Sequence, residues 1–190
     1  MDRDIRGIMD KGVVPYFSDI QAAELGDAFW NVNLVQMLET SSNTHPSFTV
    51  YVAAQVFFND KSLLSSTPVA HLIDNGDVHH IFPKEYLKKA GVARSLYNQV
   101  ANYTYLDTTT NIVVGDDAPN EYFGKVFAQC GAGNIVIGNL KTEEALLDNL
   151  AQNCIPNEVK NMTFKDYDTF LVERRKLMAA KIKSYYEKLK

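Results

Sequence analysis

The chain has 190 residues, a net charge of −4 and 46% hydrophobic residues, which excludes a disordered or fibrous chain and predicts a globular domain. Its two cysteines, Cys130 and Cys154, form no CxxC pair, which excludes a disulfide scaffold and a cysteine-rich zinc site. No uninterrupted apolar run approaches the roughly 18 residues of a membrane span, and the start of the chain lacks the apolar segment of a signal peptide. We therefore expect a cytoplasmic protein that has no membrane partner.

The first third of the chain is predicted to be helical. Apolar residues recur at near-helical spacing over residues 18–39, which predicts an amphipathic helix, and the polar stretch 40–46 predicts a loop. Residues 47–58 are apolar on nearly all sides, so a buried helix and a buried strand both fit, and the alanine-containing centre favours the helix. A short helix is predicted over residues 61–73, followed by a turn at residues 74–76.

Short β-prone segments take the place of helices in the middle of the chain. Residues 77–83 and 102–106 are predicted to be strands, and residues 84–97 a helix or loop between them. An aspartate and three threonines, which are favourable helix-capping residues, precede Asn111 and predict a further helix. The remaining predicted helices cover residues 118–129, 142–152 and 163–188.

These elements predict a mainly α fold in which a small hairpin-helix unit is embedded. We expect a single domain over residues 1–190. Residues 1–73 would form a helical support, residues 74–125 the hairpin-helix unit, and residues 126–190 the C-terminal helices. The embedded unit is where we expect the chemistry to be.

Charge is distributed unevenly along the sequence. Residues 160–190 contain nine Lys and Arg residues against four Asp and Glu residues, a balance of +5 against −9 for the rest of the chain. A basic last helix on an acidic body would provide a DNA-facing surface, in which Arg174 and Arg175 would contact phosphates. A solvated helix face fits the same pattern.

Two adjacent histidines, His79 and His80, end the first predicted strand. Alternation along a strand normally directs neighbouring side chains to opposite faces, whereas a strand end or bulge lets them converge on one site. A structural pair, with one histidine packed and the other exposed, is the alternative. Asn102 begins the second predicted strand, and Asn111 follows nine residues later.

The series His79, His80, Pro83, Asn102 and Asn111 resembles the motif of the HNH, or ββα-metal, nucleases. In that family a two-stranded hairpin and one helix hold a single divalent cation. The resemblance implies that His80 is the general base, that His79 and Asn111 bind metal, and that Asn102 orients His80 through its side-chain amide or backbone. The segment DVHHIFPKEYL also looks like the corresponding segment of the HNH domain in RNA-guided nucleases.

The residue types suit hydrolysis of a phosphodiester. Imidazole titrates near pH 6.5 and can take a proton from water, while a cation offsets the charge that builds on the phosphate. Many HNH enzymes have Asp where His79 stands, and an imidazole ligand suits Mn or another transition metal better than Mg. The implied cofactor is a divalent metal of open identity, to which Asp77, Asp107 or Asp116 would add a carboxylate.

A wider resemblance covers nearly the whole chain and is sharpest over residues 77–123. The chain is similar to the C-terminal part of a bacterial family that pairs a ParB/sulfiredoxin-like NTPase domain with an HNH-like domain, as in GmrSD-type modification-dependent restriction enzymes. This resemblance implies cleavage of foreign phage DNA, often modified DNA, in antiphage defence. It also implies an N-terminal NTPase or sensor partner outside this chain, because no DGQQR-like motif is present. The segments that carry it include DRDIRGIMDKG, AFWN, NQVANYTYLDTTTNIVVGDDAPNEYF and FLVERRKLMAAKIKSYY.

Three lysines, Lys84, Lys88 and Lys89, follow the motif directly, where a DNA backbone would pass. The sequence thus predicts an HNH-type DNA endonuclease domain. A DNA-binding or assembly module with a degenerate nuclease centre is one alternative. A purely structural helical domain with a packed histidine pair is the other.

Overall fold

A computed structural model describes residues 2–74 and 77–190, so the predicted turn at residues 74–76 lies mostly outside the described residues. The described part is mainly helical and contains one two-stranded antiparallel sheet. None of its helices is both long enough and apolar enough to cross a bilayer. The helices are α1 (Asp2–Lys11), α2 (Val13–Glu24), α3 (Leu34–Met37), α4 (Pro46–Phe57), α5 (Lys84–Lys89), α6 (Arg94–Tyr97), α7 (Thr108–Val114), α8 (Pro119–Ala132), α9 (Glu143–Gln152) and α10 (Tyr167–Lys188), and the strands are β1 (Asp77–His80) and β2 (Tyr103–Leu106).

The predicted helix over residues 18–39 is divided in the structure. Helix α2 ends at Glu24, and a π-helical turn, Phe29–Asn33, leads into α3. Gly26, a poor helix former, lies at the break. The break is stabilised by the indole of Trp30, whose Nε1 donates a hydrogen bond to the carbonyl oxygen of Leu25 at 2.7 Å.

Helix α4 confirms the helical alternative for the apolar segment, and it begins with Pro46 in its first turn, where the missing N–H has no helical partner to lose. It packs against α10, which also contacts α3. The predicted helices over residues 118–129, 142–152 and 163–188 are confirmed as α8, α9 and α10, the last preceded by a 3₁₀ turn. Together these helices enclose a continuous apolar core.

The helix predicted over residues 61–73 is wrong apart from a 3₁₀ turn at Val69–His71. Side-chain hydrogen bonds from α9 hold this segment in an irregular conformation. The amide of Asn149 accepts from the backbone N–H of Leu64 at 2.8 Å and donates to the carbonyl of Ser62 at 2.9 Å. Because a long-range partner satisfies these backbone groups, the segment does not need helical hydrogen bonds.

Both predicted strands are confirmed, and they pair in antiparallel fashion with His79 opposite Thr104 and His80 opposite Tyr103. Residues 81–102 connect them and carry α5 and α6, so this is not a tight hairpin. Helix α7 follows β2 directly and packs against β1. The sheet and α7 thus form a small unit whose surroundings are the larger helices.

The proposed phosphate contacts of Arg174 and Arg175 are wrong. Arg174 is fully buried, and its guanidinium donates to the carbonyl of Ala101 at 2.9 Å and to that of Asn153. Arg175 is 8% exposed and forms an ion pair with Glu39 at 3.2 Å. The helical spacing that places both arginines on α10 turns them toward the protein, where they hold loops together instead of facing DNA.

Candidate active site

His79 and Asn111 lie in direct contact. His79 is buried in β1, at 5% exposure, and Asn111 lies on α7, which packs against that strand. The distance from Nδ1 of His79 to Oδ1 of Asn111 is 2.6 Å. Because an amide oxygen accepts, Nδ1 carries the proton in this arrangement. The structure therefore brings together two of the residues that the sequence pattern selected.

His80 lines the same cleft as His79, although alternation along β1 would direct the two rings to opposite faces. His80 is the last residue of β1, where the chain leaves the sheet. Its Nε2 lies 3.1 Å from Oδ1 of Asn98, and its ring packs edge-on against Tyr103 with the ring centroids 5.0 Å apart. These two contacts fix the half-buried ring at one wall of the cleft.

The protonation of His80 is set mainly by its burial. Burial lowers the pKa of His80, and the nearby charge of Lys84 lowers it further, while the hydrogen bond with Asn98 acts in the opposite direction. With Oδ1 of Asn98 as acceptor, Nε2 of the neutral ring holds the proton and Nδ1 holds a lone pair. A neutral imidazole with a free lone pair is the form that a general base requires.

Asn102 does not contact the ring of His80, so its predicted orienting role is indirect at most. Its side chain is fully buried, accepts from the backbone N–H of Phe82 at 2.8 Å, and donates to the carbonyls of Phe82 and Tyr97. Its own carbonyl accepts from the N–H of Ile81 at 2.9 Å. Asn102 therefore holds the backbone that directly follows His80.

Asn98 makes the contact with His80 that the sequence pattern assigned to Asn102. The sequence did not predict this contact, because Asn98 lies in the long connection between the strands. In such a connection, sequence spacing does not determine which residues face each other. The only available signal was an amide residue shortly before Asn102 in a segment that must fold back over the sheet. Its contact depends on the path of residues 81–102.

Charged residues at the cleft differ in how far they are already paired. The cleft has a volume of about 180 Å³, and Lys84 and Asp116 contribute to its lining. Lys88 pairs with Glu85 at 2.9 Å and Lys89 with Asp116 at 3.3 Å, both at the surface. Lys84 makes no ion pair with any residue that the structure describes, so of the three lysines it is the most available to an anion.

His79 and Asn111 are the residues of this cleft that the sequence pattern selects as ligands of a divalent ion. Among the described residues, no three His, Cys, Asp or Glu side chains lie close enough to share an ion. Adjacent ligands of an octahedral ion are about 3.0 Å apart when each bond is about 2.1 Å. The observed separation is shorter, 2.6 Å, because the two atoms are hydrogen-bonded to each other, so an ion would have to replace this bond. Of the candidate carboxylates, Asp116 lines the cleft, whereas the side chain of Asp77 lies outside what the structure describes.

Comparison of the chain with protein-family models, with curated proteins and with solved structures gives no significant match. The function is therefore inferred from this cleft and from the resemblance in the sequence. The cleft combines a candidate base, a pair of candidate ligand atoms and a surface cation. This combination is suited to hydrolysing an anionic ester.

The two asparagines near His80 are expected to differ in their effect on stability. Asn102→Ala should lower the free energy of unfolding by about 3 kcal/mol, because it removes the bonds of its amide to the buried backbone N–H and carbonyl of Phe82. Asn98→Ala, at a partly exposed position, should lower it by less than about 1 kcal/mol. Urea unfolding of both variants measures the difference. Equal losses would contradict the division between a structural Asn102 and a positioning Asn98.

Proposed function

We propose that the chain is a metal-dependent DNA endonuclease domain of the HNH type, a phosphodiester hydrolase. The observation that carries this proposal is the contact of His79 with Asn111 beside His80 in one cleft. His79 lies on β1, and Asn111 lies on α7, 32 positions later in the sequence. Their spacing in the sequence does not by itself require the two side chains to be in contact.

The unit of β1, β2 and α7 is proposed to be the ββα-metal unit of that family. Many small HNH domains are braced by CxxC pairs, which this chain lacks. Here the bracing comes from buried side chains. The amide of Asn102 and the guanidinium of Arg174 both fix the backbone at the start of β2.

His79 and Asn111 would hold the divalent ion, whose identity, Mg, Mn or another transition metal, stays open. When bound, the ion supplies positive charge that offsets the charge building on the phosphate and on the departing 3′ oxygen. For Nδ1 of His79 to become a ligand, the neutral ring would have to carry its proton on Nε2 instead, because an N–H has no lone pair for the ion. Both protein ligands are neutral, so they leave most of the charge of the ion available to the substrate.

His80 acts as the general base in this proposal. Oδ1 of Asn98 accepts a hydrogen bond from the Nε2–H of His80. The lone pair on Nδ1 is therefore the one that takes a proton from the attacking water. Lys84 at the cleft edge attracts the phosphate, since it has no competing ion pair among the described residues. Attack of water on the phosphorus breaks the bond to the 3′ oxygen, which leaves a 5′-phosphate and a 3′-hydroxyl end.

The biological setting is proposed from the sequence resemblance. In the GmrSD-type family the corresponding domain works with an NTPase or sensor domain, and we propose such a partner and a role in restriction of phage DNA, including modified DNA. The chain itself would supply the cutting centre. Recognition of a modification would belong to the partner.

Replacing His80 tests the role of the base. His80→Ala should reduce plasmid nicking in the presence of Mn²⁺ by about 10²–10⁴-fold, because it removes the proton acceptor, while DNA affinity changes little. His71→Ala, at an exposed histidine, is the matched control and should keep full activity. Undiminished nicking by His80→Ala would rule out this mechanism. Tight DNA binding by a wild-type chain without any nicking would favour the degenerate DNA-binding module.

Metal binding should stabilise the fold through its linkage to the native state. Mn²⁺ at about 100 times its dissociation constant adds about 2.7 kcal/mol, which should raise the melting temperature of the wild-type chain by roughly 5–10 °C. Asn111→Ala should abolish the shift because it removes one ligand. Asn134→Ala, at an exposed asparagine elsewhere, should preserve it. Differential scanning fluorimetry measures these shifts. A wild-type melting temperature that does not change when Mn²⁺ is added would support a purely structural domain.

A further inference from the structure

A second cleft adjoins His80. It has a volume of about 510 Å³ and is lined by Ser41, Arg94, Ser95, Asn98 and Tyr103. Two of these residues, Asn98 and Tyr103, are the ones that contact the ring of His80. His80 itself lines the first cleft, so its ring contacts two residues of the second.

The lining of the second cleft has the chemistry of an anion site. Two serine hydroxyls, one amide and one guanidinium contribute to it, and no carboxylate does. Arg94 is exposed and makes no ion pair with any residue in the described part of the chain. Its planar group can donate two parallel hydrogen bonds to a phosphate, which a lysine cannot do.

Tyr103 is poorly placed to stack on a base. It is only 8% exposed, its ring packs edge-on against Phe48 and His80, and its hydroxyl donates to the carbonyl of Ser41 at 3.3 Å. The cleft therefore offers polar and charged contacts instead of an aromatic platform. Contacts of this kind recognise a nucleic-acid backbone and not its sequence.

We propose that the second cleft binds a phosphate of the cleaved strand that neighbours the scissile one, with Arg94 as its principal ligand. This inference rests on the proposed function, because it takes the scissile phosphate to lie in the first cleft. Lys84 on α5 and Arg94 on α6 then provide one cation in each of the two clefts. A strand that crosses the imidazole meets both, which fixes the register of the backbone over the base.

The salt dependence of DNA binding tests the role of Arg94. Each phosphate neutralised by a protein cation contributes about 0.9 to the slope of log affinity against log salt for duplex DNA, and about 0.7 for a single strand. Arg94→Ala should reduce the slope by about that amount and weaken binding several-fold at low salt. Arg94→Lys should restore the slope because it keeps the charge. The measurement uses the full chain with His80→Ala, so that the DNA stays intact, and a short fluorescent duplex as probe.

Arg6→Ala is the matched control, because Arg6 is an exposed arginine on α1. It should leave the slope unchanged. If Arg94→Ala also leaves the slope unchanged while the parent chain binds DNA and the wild type nicks it, the second cleft is not a phosphate site and the proposed function stands. If the slope falls equally for Arg6→Ala, the change reflects the loss of any positive charge from the protein surface, and the inference fails. If the parent chain binds no DNA, both proposals fail.

A kinetic measurement on the active chain separates binding from chemistry. With Mn²⁺ present, Arg94→Ala should raise KM several-fold and leave kcat within about twofold, because Arg94 does not touch the reacting atoms. A fall in kcat with unchanged KM would overturn the assignment of Arg94 as a ligand of a neighbouring phosphate.

Discussion

The buried amide of Asn102 is the contact on which the geometry of the cleft depends. It ties the start of β2 to the backbone of Phe82, two residues after His80, and to the carbonyl of Tyr97. The strands are joined by a long connection and not by a tight turn, so pairing alone would leave residues 81–102 loosely placed. Arg174 reinforces the same junction from α10 by its hydrogen bond to Ala101.

This junction explains how helices can support a site that lies in a two-stranded sheet. With the connection fixed, Asn98 reaches His80 from one side, while α7 brings Asn111 to His79 from the other. The two imidazoles then share one cleft although they are neighbours in a strand. The side chains do not alternate here because His80 is the last residue of β1, after which the chain turns away from the sheet.

Local patterns in the sequence were sufficient for both short strands, for α4 and for the helices of the second half, because each has its own apolar period, cap or proline. They failed where a distant residue decides the structure. The amide of Asn149 keeps residues 61–73 from forming a helix, and burial turns Arg174 into a structural cation. In the site, the contact of His79 with Asn111 agrees with the spacing of the sequence pattern. The contact of Asn98 with His80 depends on how residues 81–102 fold, and that connection has no hydrophobic periodicity from which its path could be predicted.

We propose that His79 and Asn111 hold a divalent ion beside His80. Anomalous diffraction from crystals soaked in manganese tests it most directly. We expect one strong peak in the first cleft, within about 2.5 Å of both the imidazole nitrogen and the amide oxygen. A fully occupied peak elsewhere, or an intact hydrogen bond between these two residues at saturating manganese, would contradict it.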